Sequence, residues 1–457
     1  MEPSVVVISN NNCLPVQDVT DDTPQKNVDI KVYKRRLWVL GLFSFSSMMS
    51  AMTFPQYVSM ANINSCFYGV SSEAVDWTTL IILIVYLVFI LPVSSLINYM
   101  DLRWTVICTG FWNAVGAATQ FATLSPDSFP FVMVVSFFAA LSNLFVLGVP
   151  PALAAKWFPS RELSRACSFG VFGNQLGVAI GFVFSPLIVP ADCSRKDLIS
   201  IGKRNVAYIL TAVNLVVFIL IVFTFQNAPK NPPSLAQAQK RKESSESHTQ
   251  IIMNMLKNPN FILILIVYGL MVGSYYAIGT ILNSLILYFF PHKEMQVGWM
   301  GLLFVVCGLV GSIIAGFTLD STHKFKETSI AICCASLVTL IIFSGCLYVN
   351  HLWVQFITIC LFGFCLTSFL PIGFEYGIEV TYPQSEAISA CLLNASAMLF
   401  GIVLTEMLSH ILENEGPLSS NAALTVTIFI CCIITTFITR DYKRCKKNAE
   451  IKFISSQ

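Results

Sequence analysis

Long uninterrupted apolar runs govern what this chain can fold into. Runs of about 20 residues, the length an α-helix needs to cross the hydrocarbon of a bilayer, fall at roughly 37–60, 78–98, 104–123, 128–155, 165–189, 206–226, 261–288, 298–319, 328–349, 352–374, 387–411 and 421–439. In lipid each backbone amide must be satisfied inside its own segment, so such runs become helices. They form two sets of six, separated by the polar stretch NAPKNPPSLAQAQKRKESSESHTQ at 227–250, which reads as a solvated linker. The expected architecture is an all-α membrane protein with twelve transmembrane helices. Its parts are a tail (1–32), a six-helix bundle (33–226), a linker (227–257), a second six-helix bundle (258–440) and a second tail (441–457). The composition agrees: 55% of residues are hydrophobic and 11% charged, far more apolar than a soluble average.

Lys and Arg are retained in cytoplasmic loops, and their distribution sets the expected orientation. Of 27 such residues, only Arg195, Lys196, Lys203, Arg204 and Lys293 fall on the side opposite the termini. Both termini are therefore expected in the cytoplasm. A net charge of +2 offers no basic concentration to track phosphates, so nucleic acid is not an expected partner. The first 30 residues lack a basic segment followed by an apolar core, and no cleaved signal is expected. Most of the 15 cysteines lie inside apolar runs and read as small core hydrophobes. Cys66 and Cys193 fall in loops on the same side, where a disulfide is an open alternative. The triplet Asn394-Ala-Ser396 falls in a span, out of reach of glycosylation.

Each half carries a related junction after its second span, LINYMDLRWT at 96–105 and AGFTLDSTHKFKET at 315–328. An acid near a helix end followed by a basic group resembles the short second-to-third-helix loop of the major facilitator superfamily. The second copy, with Gly316, Leu319 and Asp320, matches that pattern. In the first, Asn98 takes the acid's place, and Asp101 and Arg103 follow it. The resemblance implies two pseudo-symmetric six-helix bundles around a central cavity.

Polar groups in hydrocarbon usually face protein or a water-filled path. Gln175 of span five, Tyr276 of span seven, Asn394 of span eleven and Phe54 of span one lie at similar depths. Tyr276 and Asn283 are seven residues apart, which places them on one face about 10 Å long. Tyr275 points elsewhere and is expected to pack against a neighbour. In GVFGNQLGVAIGF, Gly173, Gly177 and Gly181 recur every four residues and form a flat stripe for a close helix partner. Gly269 and Gly273 do the same in span seven. No charged residue or histidine falls near the middle of an expected span. Asp101, Asp320, Glu375 and Glu379 lie near helix ends, and Glu406 and His410 lie toward the outer end of span eleven. An aromatic, amide-lined cavity without a fixed counter-ion suits a cation held by ring faces or a neutral polar solute. No HExxH, GxSxG or clustered Asp/His set appears in the spans, so neither an enzyme nor a bound cofactor is expected.

Several stretches resemble one family: YKRRLWVL, FYGVSSEAVDW, FVLGVPPALAAKWF, SRACSFGVFGNQLGVAIGF, YGLMVGSYYAIGTILN and LPIGFEYGIEVTYPQSEAISACLLNASAMLFG. From about residue 33 to 440 the chain is similar to the feline leukaemia virus subgroup C receptor family of major facilitator carriers. The resemblance implies downhill transport of choline and ethanolamine, with haem export as the alternative. Family members hold the ammonium between a span-one tryptophan and a span-seven tyrosine, with glutamines of spans five and eleven near the hydroxyl. Tyr276, Asn283 and Gln175 match that pattern. Phe54 replaces the tryptophan and Met398 the second glutamine, which weakens the cation–π partner and hydroxyl recognition. The resulting expectation is a monomeric carrier in the plasma membrane.

Overall fold

The computed structural model describes residues 33–147, 149–159, 162–229, 248–322, 324–349, 351–382, 384 and 386–439. Both expected tails and most of the linker lie outside the described residues. Among those described there are helices and turns but no strand, and eleven helices are long and apolar enough to cross a membrane. Span one is a continuous path from Arg35 to Tyr68, bent where the helix Arg35–Gln56 passes through the 3₁₀ turn Val58–Met60 into Ala61–Tyr68. Pro55 lies just before the bend, and a proline there removes one rung of the helical hydrogen-bond ladder.

Span two is Ser72–Tyr99, span five Leu163–Ile188, span six Lys196–Thr224, span seven Pro259–Phe289 and span eight Glu294–Thr322. Span nine is Phe325–Cys346, span eleven Glu386–Asn414 and span twelve Pro417–Phe437. Span three, Leu102–Thr119, supplies the twelfth crossing. Arg103 and Asn113 fall within it, and the amide is used: Asn113 Nδ2 donates to the Ser46 carbonyl of span one at 3.2 Å. Span four is described over Phe129–Leu147 and Val149–Trp157, and span ten is interrupted at Ser368 between Leu352–Thr367 and Phe369–Thr381. Within the expected linker the described portion includes a helix, His248–Leu256, whose Met255 is buried.

Spans one to six pack together, as do spans seven to twelve. The two sets meet where span two lies along span eleven, span five along span eight, and the bent tip of span one against span seven. One end of the bundle carries the linker and the other the span-one tip. These are the linker end and the far end below.

Cys66, in the helix Ala61–Tyr68 rather than a loop, and the loop residue Cys193 are joined as a disulfide, with Cα atoms 6.1 Å apart. The pairing left open by the sequence is made, and it ties the span-one tip to the loop between spans five and six. At the two junctions, the described contacts lie within one half. Asp101 precedes span three without capping it, and Arg103 donates to the Val222 carbonyl at 2.9 Å within the same half. A Cβ added at Gly316 would meet no atom within 4 Å. The side chains of Asn98 and Asp320 lie outside the described set.

Candidate functional site

Two glycine contacts, one in each half, bring the central residues together. A Cβ at Gly173, Gly177 or Gly181 would come within 3.0 Å of the backbone carbonyls of Ser44, Met48 or Met52, so span five lies directly against span one. In the other half, a Cβ at Gly269 would collide with Ser396 and Phe400, and one at Gly273 with the Gly401 backbone. Span seven therefore lies directly against span eleven. The expected small-residue stripes are real close-packing surfaces. They place Phe54 and Gln175 in one half opposite Tyr276 and Met398 in the other.

At the centre the rings of Phe54 and Tyr276 meet edge to face, with centroids 5.6 Å apart and an interplanar angle of 62°. Tyr276 packs over Gly401, where a Cβ would lie 3.5 Å from its ring. Tyr275 stacks on Phe304 at 5.4 Å and 17° and meets Tyr276 at 5.6 Å. Its hydroxyl donates to Gln175 Oε1 at 3.4 Å. Tyr275 thus packs as expected and also bridges the two halves, a role the sequence reading did not give it. Tyr86 of span two and Tyr268 of span seven are both buried. The Tyr268 hydroxyl has no hydrogen-bond partner among the described residues. Met398 is buried in the same core, and Asn394, one turn toward the linker end, is half-buried. Beside Gln175, the buried Asn174 Nδ2 also lacks a partner among the described residues.

The recorded neighbours of the ring pair are aromatic, amide and aliphatic groups. Negative ring faces attract a cation, and amides can donate or accept at its polar end. Such a set can hold a small amphipathic solute without covalent chemistry.

Asn283 behaves differently from the expected cavity-lining role. It is buried, with Nδ2 donating to the Ser59 carbonyl at 2.8 Å and Oδ1 accepting from the Asn62 amide at 3.4 Å. Asn62 Nδ2 in turn donates to Glu294 Oε1 at 2.7 Å. Asn283 shares a helix face with Tyr276, but at its depth the span-one tip has closed over that face. Its amide fastens the two halves at the far end.

Asp76 is a second departure. The sequence places it in the loop before span two, but the helix begins at Ser72, where Ser71 Oγ accepts from the Ala74 amide. Asp76 is consequently buried one turn inside the span, and Ser409 Oγ of span eleven donates to its Oδ2 at 2.5 Å. The serine cap with Glu73 in the first turn was the available signal. Lys203, also counted as a loop cation, sits within span six with its Nζ 3.9 Å and 4.4 Å from the ring centroids of Tyr68 and Phe67.

Comparison with known proteins agrees with this architecture. The Major Facilitator Superfamily model matches residues 37–366. The choline/ethanolamine transporter flvcr2a of Danio rerio is 40% identical over 448 residues, covering 96% of this chain and 95% of that protein. The human choline/ethanolamine transporter FLVCR2 is 38% identical, covering 92% and 80%. A bacterial homologue of the human lysosomal transporter Spinster shares the fold at a TM-score of 0.70 and 13% identity, over 91% of this chain and 99% of that one.

Among the described residues, twelve spans in two packed halves, meeting around a buried aromatic and amide centre, define a multi-pass membrane transporter of the major facilitator class. Within that superfamily, the chain belongs to the family of the FLVCR transporters.

Proposed function

We propose that this carrier moves choline, ethanolamine and closely similar amines down their gradients by alternating access. The observation that carries the reading is the Phe54–Tyr276 ring pair, one ring from each half, at the centre of the bundle. A ring contributed by each half can enclose a cation and release it when the halves move apart. A desolvated cation over such rings gains about 2 kcal/mol per good contact. Gln175, already accepting a hydroxyl proton from Tyr275, is placed to meet the alcohol or amine end of the solute. The relatives' printed names support the same substrate class. A porphyrin cargo is not favoured by those names.

The far-end contacts of Asn283, Asn62 and Glu294 close one side of the site, and alternating access requires them to part. The excess of Lys and Arg on the termini side supports cytoplasmic termini. We place the carrier, as a monomer, in the plasma membrane.

The test is uptake of labelled choline into proteoliposomes holding the purified protein, with ethanolamine, larger quaternary amines and a porphyrin as competitors. The proposal expects saturable uptake, inhibited by the amines. Uptake that no amine reduces would reject it.

A further inference from the structure

Lys34, Trp38, Gly41 and Phe45 recur at the spacing of a single helix face at the linker end of span one. That face is open: Lys34, Trp38 and Phe45 are exposed, and a Cβ added at Gly41 would meet no atom within 4 Å. It forms one wall of a groove of about 550 Å³ whose other wall is span six and whose floor includes the buried Leu42 and Val217. Exposed apolar walls on membrane spans face lipid, which is as apolar as they are. On span one the lining runs from Leu37 to Phe45, about 12 Å of helix. The groove therefore occupies most of one leaflet's ~15 Å of hydrocarbon and stops before the other.

The mouth of the groove is polar, basic and fixed in place. Trp38 Nε1 donates to Thr224 Oγ1 at 3.0 Å, and an Arg35 guanidinium N–H donates to the Thr224 carbonyl at 3.0 Å. Both contacts tie span one to the last turn of span six, and an indole at a span end marks the headgroup level. One guanidinium N–H is used there, and the others remain for a phosphate. Lys34 stands beside it on the groove face and caps no backbone group. Among the described residues neither Lys34 nor Arg35 has a carboxylate partner. The acid at this end, Glu162, is held by Arg36 at 2.9 Å, and Arg36 also lies over the Phe158 ring. Two cations therefore stand over an apolar trough without a counter-charge from the chain.

We propose that this groove is a binding site for one phospholipid with a net negative headgroup, its phosphate on Lys34 and Arg35 and one acyl chain along Gly41 between spans one and six. Charge complementarity selects the headgroup, because basic residues at a membrane surface attract acidic lipids. A sterol, whose one polar group is a hydroxyl, would leave both cations without a counter-charge. A partner helix is about 10 Å wide and crosses both leaflets, whereas the groove ends at the level of Phe45. Both walls belong to the same half, so the lipid clamps span one to span six and makes no demand on how the halves move. The inference uses only the chain's place in a membrane and is independent of the transported solute.

The experiment counts the lipids kept by the purified full-length protein in native mass spectrometry, after titration with phosphatidylserine, phosphatidylglycerol, phosphatidylcholine or cholesterol. The wild type should hold one phosphatidylserine or phosphatidylglycerol about fivefold or more tightly than phosphatidylcholine. Lys34→Gln combined with Arg35→Gln should bring the acidic lipids down to the level of phosphatidylcholine. Gly41→Leu fills the groove and should weaken all three phospholipids. If the double variant fails to fold, Lys34→Gln alone decides, and it should lose part of the preference for acidic lipid. Glycerophosphoserine, the headgroup without its chains, should displace nothing. A wild type that keeps phosphatidylcholine or cholesterol as well as phosphatidylserine would overturn the proposal. So would a Gly41→Leu chain that binds phosphatidylserine undiminished, or displacement of the lipid by glycerophosphoserine.

Discussion

Phe54 stands where the family resemblance leads one to expect a tryptophan, and it lies against Tyr276 at the centre of the bundle. The two rings meet edge to face, so an aromatic wall is present without an indole. Indole is the stronger cation–π partner. Phe54→Trp should therefore lower the KM for choline by roughly two- to fivefold, the equivalent of about 0.5–1 kcal/mol, as read from concentration-dependent uptake. Sequence reasoning singled out Tyr276, Gln175 and Phe54 because rings and amides are conspicuous in apolar runs and because the family resemblance names those positions; the structure brings Phe54 against Tyr276 and Gln175 against Tyr275. It placed Asn283 on the correct helix face but in the wrong surroundings. Helical spacing reports direction around an axis, whereas what stands opposite depends on which end of the bundle is closed. Tyr275 was missed as a bridge for a related reason: its packing partner Phe304 and its hydrogen-bond partner Gln175 lie on different spans.

At the scale of single helices, the glycine stripes carry the strongest expectation. A Cβ at Gly177 would press into the backbone of Met48, which cannot retreat without moving span one. Gly177→Ala should destabilise the protein by about 1–3 kcal/mol and lower the yield of folded carrier, measured as the monodisperse fraction after extraction. Gly316→Ala meets open space and should be neutral or stabilising by about 0.5–1 kcal/mol. The stripes were legible because a four-residue repeat of glycine has few other uses in a membrane helix. The start of span two was not, because a hydropathy pattern discounts the polar first turn that Ser71 caps and thus leaves Asp76 outside. Span three was legible as the apolar run at 104–123 despite Asn113, whose amide is satisfied by Ser46 of span one, a partner distant in sequence.

For the molecule as a whole, the far end is where the halves are fastened, through Asn283 with the span-one tip and through Asp76 with Ser409. The Cys66–Cys193 bond anchors that tip to the first half. Replacing both cysteines with serine should cost about 2–4 kcal/mol, seen as a lower unfolding temperature, with the central ring pair unaffected. The division into two halves was readable from the linker and the count of apolar runs. The disulfide was only an alternative, because spacing in sequence cannot show that two loops meet. The central claim is that neutral rings and amides, without a charged partner, hold the cation at the middle of this bundle. Equilibrium binding of labelled choline to the purified wild type, Tyr276→Phe and Tyr276→Leu tests it most directly. The phenylalanine variant should bind within about threefold of wild type and the leucine variant about tenfold or more weakly; wild-type affinity in the leucine variant would contradict the account.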